Sequence, residues 1–260
     1  MKEYRYSIQI ISELTTETSQ SKTILEIILK KSIDNIQKDN IEVYKIEKIK
    51  NYIVSPTVML LNPFNVIKEI RIKTDFNKRI TDLLNYSELR RTIEKYYFDL
   101  SKTVKDKSPE HEKFLQELAA YTFYPKDEAI LELLKTRYFY VFFGGNYKSN
   151  KSDIILLDGF LPSYSLPILY NKKYFENSGN AYLNGNIASE KISAYMLNED
   201  MRKFNLEYDI DKLFFNSEHI INYASEEINN AKIFQEGGIK GKYTKKEIVT
   251  ISQIRGGIYG

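Results

Sequence analysis

Cysteine and tryptophan are absent from this 260-residue chain, and histidine occurs only twice. Without cysteine there is no disulfide, no thiolate zinc or iron–sulfur centre and no cysteine nucleophile. The two histidines, His111 and His219, cannot build a multi-histidine metal site, and neither stands in a His-Glu-x-x-His pattern. Each falls near an expected helix start and reads as a capping or surface residue. Strong charge of one sign is also missing: 38 Lys and Arg face 35 Asp and Glu, a net +3. No stretch reads as a membrane span, because the longest uncharged apolar segment, Asn51–Ile67, is broken by Ser55, Pro56, Asn62 and Pro63. Residues 1–16 carry Glu3, Arg5 and Glu13 and lack the apolar centre of a signal peptide. The expected setting is the cytoplasm, with no membrane partner.

What remains is a globular composition, 42% hydrophobic and 28% charged. The length suits one large domain or two small ones. Of the basic residues 30 are Lys and 8 are Arg, and Ile, Asn and Tyr are abundant. Lysine in loops therefore reflects base composition as readily as a binding role.

Periodicity suggests an α+β chain. Tyr4, Tyr6, Ile8 and Ile10 alternate over a strand at Tyr4–Leu14, and Ile24, Ile27, Ile28 and Ile36 recur at helical spacing over Lys22–Gln37. Strands at Ile41–Ile49 and Tyr52–Leu61 would complete an N-terminal β-α-β-β unit. Ser87 can cap a helix striped by Leu89, Ile93, Tyr96, Tyr97, Leu100 and Val104, and Ser108-Pro109-Glu110 and Asp127 open two more. A strand at Tyr138–Phe143 ends in Gly144-Gly145, and Ile154–Leu157 forms another. Pro162, Pro167, Gly179 and Gly185 mark Phe160–Asn186 as irregular. Helices are expected at Ala188–Phe204 and Ser217–Phe234, and a strand at Lys246–Ile254. The implied regions are 1–74 (N-terminal α/β), 75–136 (helical) and 137–260 (mixed α/β with a Gly-rich basic tail).

The motifs of nucleotide and ester chemistry are missing. There is no Gly-x-Ser-x-Gly elbow and no Gly-x-Gly-x-x-Gly turn. Gly238-Ile239-Lys240-Gly241-Lys242-Tyr243 is too short for a phosphate-binding P-loop and has Tyr where Ser or Thr must reach magnesium. Glu-x-Lys, part of one nuclease signature, does not occur. Gly144-Gly145, a polar turn and Asp153 opening a strand resemble the signature of polymerase-β-type nucleotidyltransferases. That resemblance implies a triphosphate at the turn and magnesium on Asp153. It covers Gly144–Leu156 alone, and Ile155 stands where the second metal-binding Asp belongs. The same residues read first as a hairpin with Asp153 and Asp158 at its turns. Asp209 and Asp211, in Glu207-Tyr208-Asp209-Ile210-Asp211, would share a strand face suited to a hard cation, or cap a short helix.

A third feature is the interleaving of Lys, Tyr, Asn and Gly in three loops: Asn146–Lys151, Tyr170–Asn180 and Gly237–Lys246. Ammonium groups neutralise phosphates, aromatic rings stack on bases, and glycine lets backbone N–H groups approach. The leading expectation is a nucleic-acid-binding protein, or a subunit of a nucleoprotein assembly with protein partners. Its phosphate contacts would be Lys148, Lys151, Lys172, Lys173, Lys240, Lys242, Lys245, Lys246 and Arg255, with Tyr147, Tyr174 and Tyr243 stacking. No cofactor is expected in that case. One alternative is a magnesium-dependent phosphoryl-transfer enzyme using Asp153, Asp209 and Asp211 within roughly 4–6 Å of a shared metal pair. The other is a structural or scaffolding protein whose 21 Tyr and 14 Phe serve a protein surface.

Overall fold

The computed structural model describes residues 2–36, 39–53, 67–75, 80–103, 142, 150–157, 160–161, 164–202, 206, 210–224 and 227–254. The α+β expectation is overturned: the described residues form one 11-stranded antiparallel sheet with few helices. The strands are β1 (Lys2–Thr16), β2 (Gln20–Ile36), β3 (Asp39–Ile53), β4 (Glu69–Thr74), β5 (Ile80–Leu83), β6 (Asp153–Leu157), β7 (Leu166–Phe175), β8 (Asn180–Ile187), β9 (Leu213–Ala224), β10 (Glu227–Ile239) and β11 (Tyr243–Gln253). Their order is β5-β4-β3-β2-β1-β11-β10-β9-β8-β7-β6. Two meanders thus meet at the centre, where β1 pairs with β11 from Tyr6↔Gln253 to Thr16↔Tyr243. Among the described residues two α-helices accompany the sheet, α1 (Tyr86–Thr103) and α2 (Ala194–Arg202). The helical region expected at 75–136 is overturned as well, since it contains β5 of the sheet; of its expected helices the one opened by Ser87 is α1. Residues 104–136 lie outside the described part, as does the strand expected at 138–143 apart from Phe142.

The expected helix Lys22–Gln37 is β2, so the β-α-β-β unit does not exist. Its inner positions are Leu25, Ile27, Leu29 and Lys31, and its outer positions include Ile24 and Ile28. Apolar residues on both faces produce the i, i+3, i+4 spacing of a helix. β-branched Ile, crowded in a helix and well packed on a pleated surface, belongs in the strand. The second expected helix, Ser217–Phe234, is β9 running into β10 for the same reason. The segment expected to be irregular contains β7 and β8. The turns β7–β8 and β10–β11 each need a positive φ, supplied by Gly179 (64°) and Gly241 (73°).

One face of the sheet, here the inner face, carries the core. Tyr6, Ile8, Ile10, Leu25, Ile27, Leu29, Leu183, Ile221, Ile233, Val249 and Ile251 point into it and are buried. Leu89 of α1, Leu197 and Met201 of α2, and Phe160, Leu161 and Tyr164 join the same cluster. Asn85 fastens α1 to the sheet: its Oδ1 accepts from the Arg71 N–H at 2.9 Å and its Nδ2 donates to the Glu69 carbonyl at 3.0 Å. That side chain acts as one more backbone partner for β4 before the helix begins.

Gly185 on β8 lies between Tyr170 of β7 and Ser217 of β9. A Cβ there would come within 2.6 Å of Tyr170 Cε1 and 3.0 Å of Ile168 Cγ2. Gly185→Ala is expected to cost about 1–3 kcal/mol in urea unfolding through this overpacking. Asn184→Ala, exposed on the same strand, should stay within about 0.5 kcal/mol. Equal effects for the two would contradict the packing assigned to Tyr170.

Candidate functional site

Three groups of side chains stand out against this frame, two on the inner face and one on the outer. The first is a buried ion cluster. Lys31 of β2 places Nζ 2.8 Å from Glu227 Oε2 of β10 and 3.0 Å from Glu42 Oε2 of β3. The Tyr44 hydroxyl donates to Glu42 at 2.6 Å, the Thr74 hydroxyl to Glu42 at 3.2 Å, and the Tyr6 hydroxyl to Glu227 at 3.4 Å. The Lys31 and Glu42 side chains are only 3% and 4% exposed. Phe142 sits edge-on to both tyrosine rings, at 5.0 Å from Tyr6 and 5.7 Å from Tyr44. In sheet order β2 and β10 are separated by β1 and β11, so a flat sheet would hold them about 14 Å apart. Their side chains meet because the sheet curls towards its inner face, as large twisted sheets do.

Burial pushes the Lys31 ammonium down, but Glu42 and Glu227 outweigh it and hold its pKa above the ordinary value. Burial and neighbouring carboxylates drive the Tyr6 and Tyr44 hydroxyls upward as well.

The second inner group centres on His219, which is fully buried in the middle of β9 and not at a helix start. Ser217 Oγ lies 2.8 Å from its Nε2 and Gln235 Nε2 lies 3.4 Å from the same atom, while Gln235 also donates to the Tyr170 hydroxyl at 3.0 Å. Burial holds this imidazole down to about 3 and pushes the Tyr170 hydroxyl up to about 12. A ring neutral throughout the physiological range is a poor base, and Ser217 gains no activation from it. Beside this group Lys245 lies over the Phe160 ring at 5.1 Å and 3.8 Å from Glu247.

The third group is on the outer face. Register aligns Phe234 with Ile248, Ile248 with Ile11, Ile11 with Ile24, and Ile24 with Tyr52. These five apolar side chains form a row across β10, β11, β1, β2 and β3, and Tyr52 is 51% exposed. On one side runs a charged row, Glu236, Lys246, Glu13 and Lys22; on the other run Lys232, Thr250, Gln9, Glu26 and Lys50. Lys22 and Glu13 pair at 2.8 Å, and the two flanks together carry four Lys and three Glu.

The residues expected from sequence are spread around the sheet. Lys172 points inward and its buried Nζ donates to Asp153, while Lys173 is exposed on the outer face. Lys240 donates to the Asp211 carbonyl at 2.9 Å, Lys242 pairs with Glu17, and Lys246 lies over the Phe234 ring at 5.6 Å. The Tyr174 N–H donates to the Asn150 side chain, the Tyr174 ring meets Tyr223 edge-on, and Lys151 is exposed beside β6. Tyr243 pairs with Thr16 and Ile239. Tyr147, Lys148, Asp209 and Arg255 lie outside the described residues. Tyr174 is level, strand by strand, with Ala231 on β10, eight residues before Ile239 and the Lys240–Lys242 turn. The two loops are therefore at opposite ends of the sheet, about 26 Å apart along the strands. Asp153 is level with Ser217, six residues from Asp211 and three strands away, so these carboxylates are separated by at least about 20 Å. Among the described residues, no three or more His, Cys, Asp or Glu gather where a metal ion could sit. No described helix is long and apolar enough to cross a membrane. No protein-family model matches the chain, and no curated protein matches it.

Sequence reasoning missed Lys31, Glu42 and Glu227 because they are scattered along the chain. The usable signal was parity: Lys31 continues the inward series Leu25, Ile27, Leu29.

Lys31→Met is expected to cost about 3–5 kcal/mol at pH 7, since it strands two buried carboxylates. Adding Glu42→Gln and Glu227→Gln should recover much of that loss in urea unfolding; a single variant as stable as the parent would sink the cluster's role. Lys31, Tyr6, Tyr44 and Tyr170 all have folded pKa values above their unfolded ones. The folded chain thus keeps protons that the unfolded chain releases. Their contribution is intact below about pH 10 and is lost as pH climbs towards the folded values, at roughly 1.4 kcal/mol per pH unit per group. Phenolate absorbance should accordingly rise in two phases above pH 10, the second coinciding with loss of β-sheet circular dichroism. A single early phase with the sheet intact would refute the burial of these hydroxyls.

Proposed function

We propose that the chain is a structural or scaffolding protein that holds a protein partner on the outer face of its sheet. The observation carrying this reading is the apolar row Phe234–Ile248–Ile11–Ile24–Tyr52, in register across five strands and bordered by polar rows. A solvated face of an antiparallel sheet alternates with polar residues, whereas an apolar centre with a polar rim is the layout of a protein interface. Flanks of mixed sign, four Lys interspersed with three Glu, also suit a protein better than a polyanion. A cytoplasmic setting is consistent with a chain lacking cysteine.

A photo-crosslinking residue placed at 11 or 248 in the native host should capture one discrete protein, and the same residue at Glu3 or Asn184 should not. Ile11→Lys should weaken that capture at least about tenfold, a loss near 1.4 kcal/mol. No adduct, or equal adducts from the control sites, would end this reading. A nucleic-acid mobility shift at micromolar protein, abolished by Lys240→Ala with Lys242→Ala and Lys246→Ala, would replace it with the nucleic-acid-binding alternative.

A further inference from the structure

We propose that two copies of this chain join edge to edge through β6, making one continuous sheet. Among the described residues β6 is the outermost strand on its side, bonded to β7 alone. The chain entering it is tied to the same neighbour: Ser152 Oγ donates to Asn171 Oδ1 at 2.9 Å, and Asn150 Oδ1 accepts from the Tyr174 N–H at 2.7 Å. These tethers hold residues 150–157 against β7 and turn the other edge outward, where alternate N–H and C=O groups face away from the sheet. Natural edges of this kind are guarded by lysine, proline or a bulge. The sequence of β6, Asp-Ile-Ile-Leu-Leu, has none of these, and its register with β7 is unbroken.

The side chains fit a second copy. Ile154 and Leu156 are 44% and 61% exposed on the outer face. An antiparallel pairing centred on Ile155 sets Ile154 of each copy opposite Leu156 of the other, gathering all four side chains on one face. Such a contact is self-complementary under a two-fold axis and closes after two copies, which a heterologous strand would not require. The strand's one charge is no obstacle, because Asp153 is neutralised by Lys172 and would face an apolar Leu157 across the pair. The inference does not depend on the outer apolar row, and its test reads a different strand.

Light scattering after gel filtration of the full chain should give twice 30.6 kDa at tens of micromolar and above. Leu156→Lys, at an exposed position, should halve that mass while leaving the circular dichroism spectrum unchanged. Amide exchange offers an independent reading on the unaltered protein: protection of residues 153–157 should rise at least tenfold with concentration. A monomer at a hundred micromolar overturns the proposal. So does a dimer whose mass is unaffected by a folded Leu156→Lys variant. Should that variant misfold, exchange at 153–157 that is independent of concentration overturns it.

Discussion

One buried ammonium group sets the shape on which the rest relies. Lys31 stands on β2, and its two carboxylate partners come from opposite directions, Glu42 from the neighbouring β3 and Glu227 from β10 beyond the sheet's centre. Dry ion groups are costly, and a well-packed apolar substitute is often as stable. The cluster therefore has value as a position marker: it ties β10 to β2 and β3 across the curl of the sheet. With that curl in place the inner face closes around Phe142, α1 and α2, and the two meanders share one core.

The buried histidine shows how the same surroundings limit chemistry. Ser217 and His219 touch as a nucleophile and base would, and their spacing alone invites a catalytic reading. Burial argues the other way. An imidazole held down to about 3 is neutral at neutral pH, and Gln235 shares its Nε2 with Ser217 while donating to the Tyr170 hydroxyl. This network fills hydrogen bonds that an apolar core could not, and so fixes the register of β7, β9 and β10 against slipping.

Part of the fold is legible in the sequence. The strand read at Tyr4–Leu14 lies in β1, Ile41–Ile49 in β3, Ile154–Leu157 in β6, and the helix opened by Ser87 in α1. Each has clean alternation or a recognisable start. The strands β7 and β8 were hidden by Pro167, Gly179, Gly185 and many Asn, which ordinarily mark loops. Here Pro167 sits one strand from the sheet's edge and Gly185 makes room for the Tyr170 ring. As for the lysine-rich loops, their composition was visible but their separation was not: placing Tyr174 and Lys240 at opposite ends depends on the strand order, which no local pattern contains.

The remaining errors share a cause with the proposed function. The segments read as helices, β2 and β9–β10, are those where Ile24, Ile28, Ile220 and Phe234 occupy outward positions. Had those positions been polar, the period would have been two and the strands plain. A solvated outer face gains nothing from isoleucine and phenylalanine, and a sheet bearing them in register across neighbouring strands invites association. The pattern that obscures the secondary structure is thus the pattern a binding face requires. On the proposed reading, the outward apolar positions of these central strands are the ones a partner would cover.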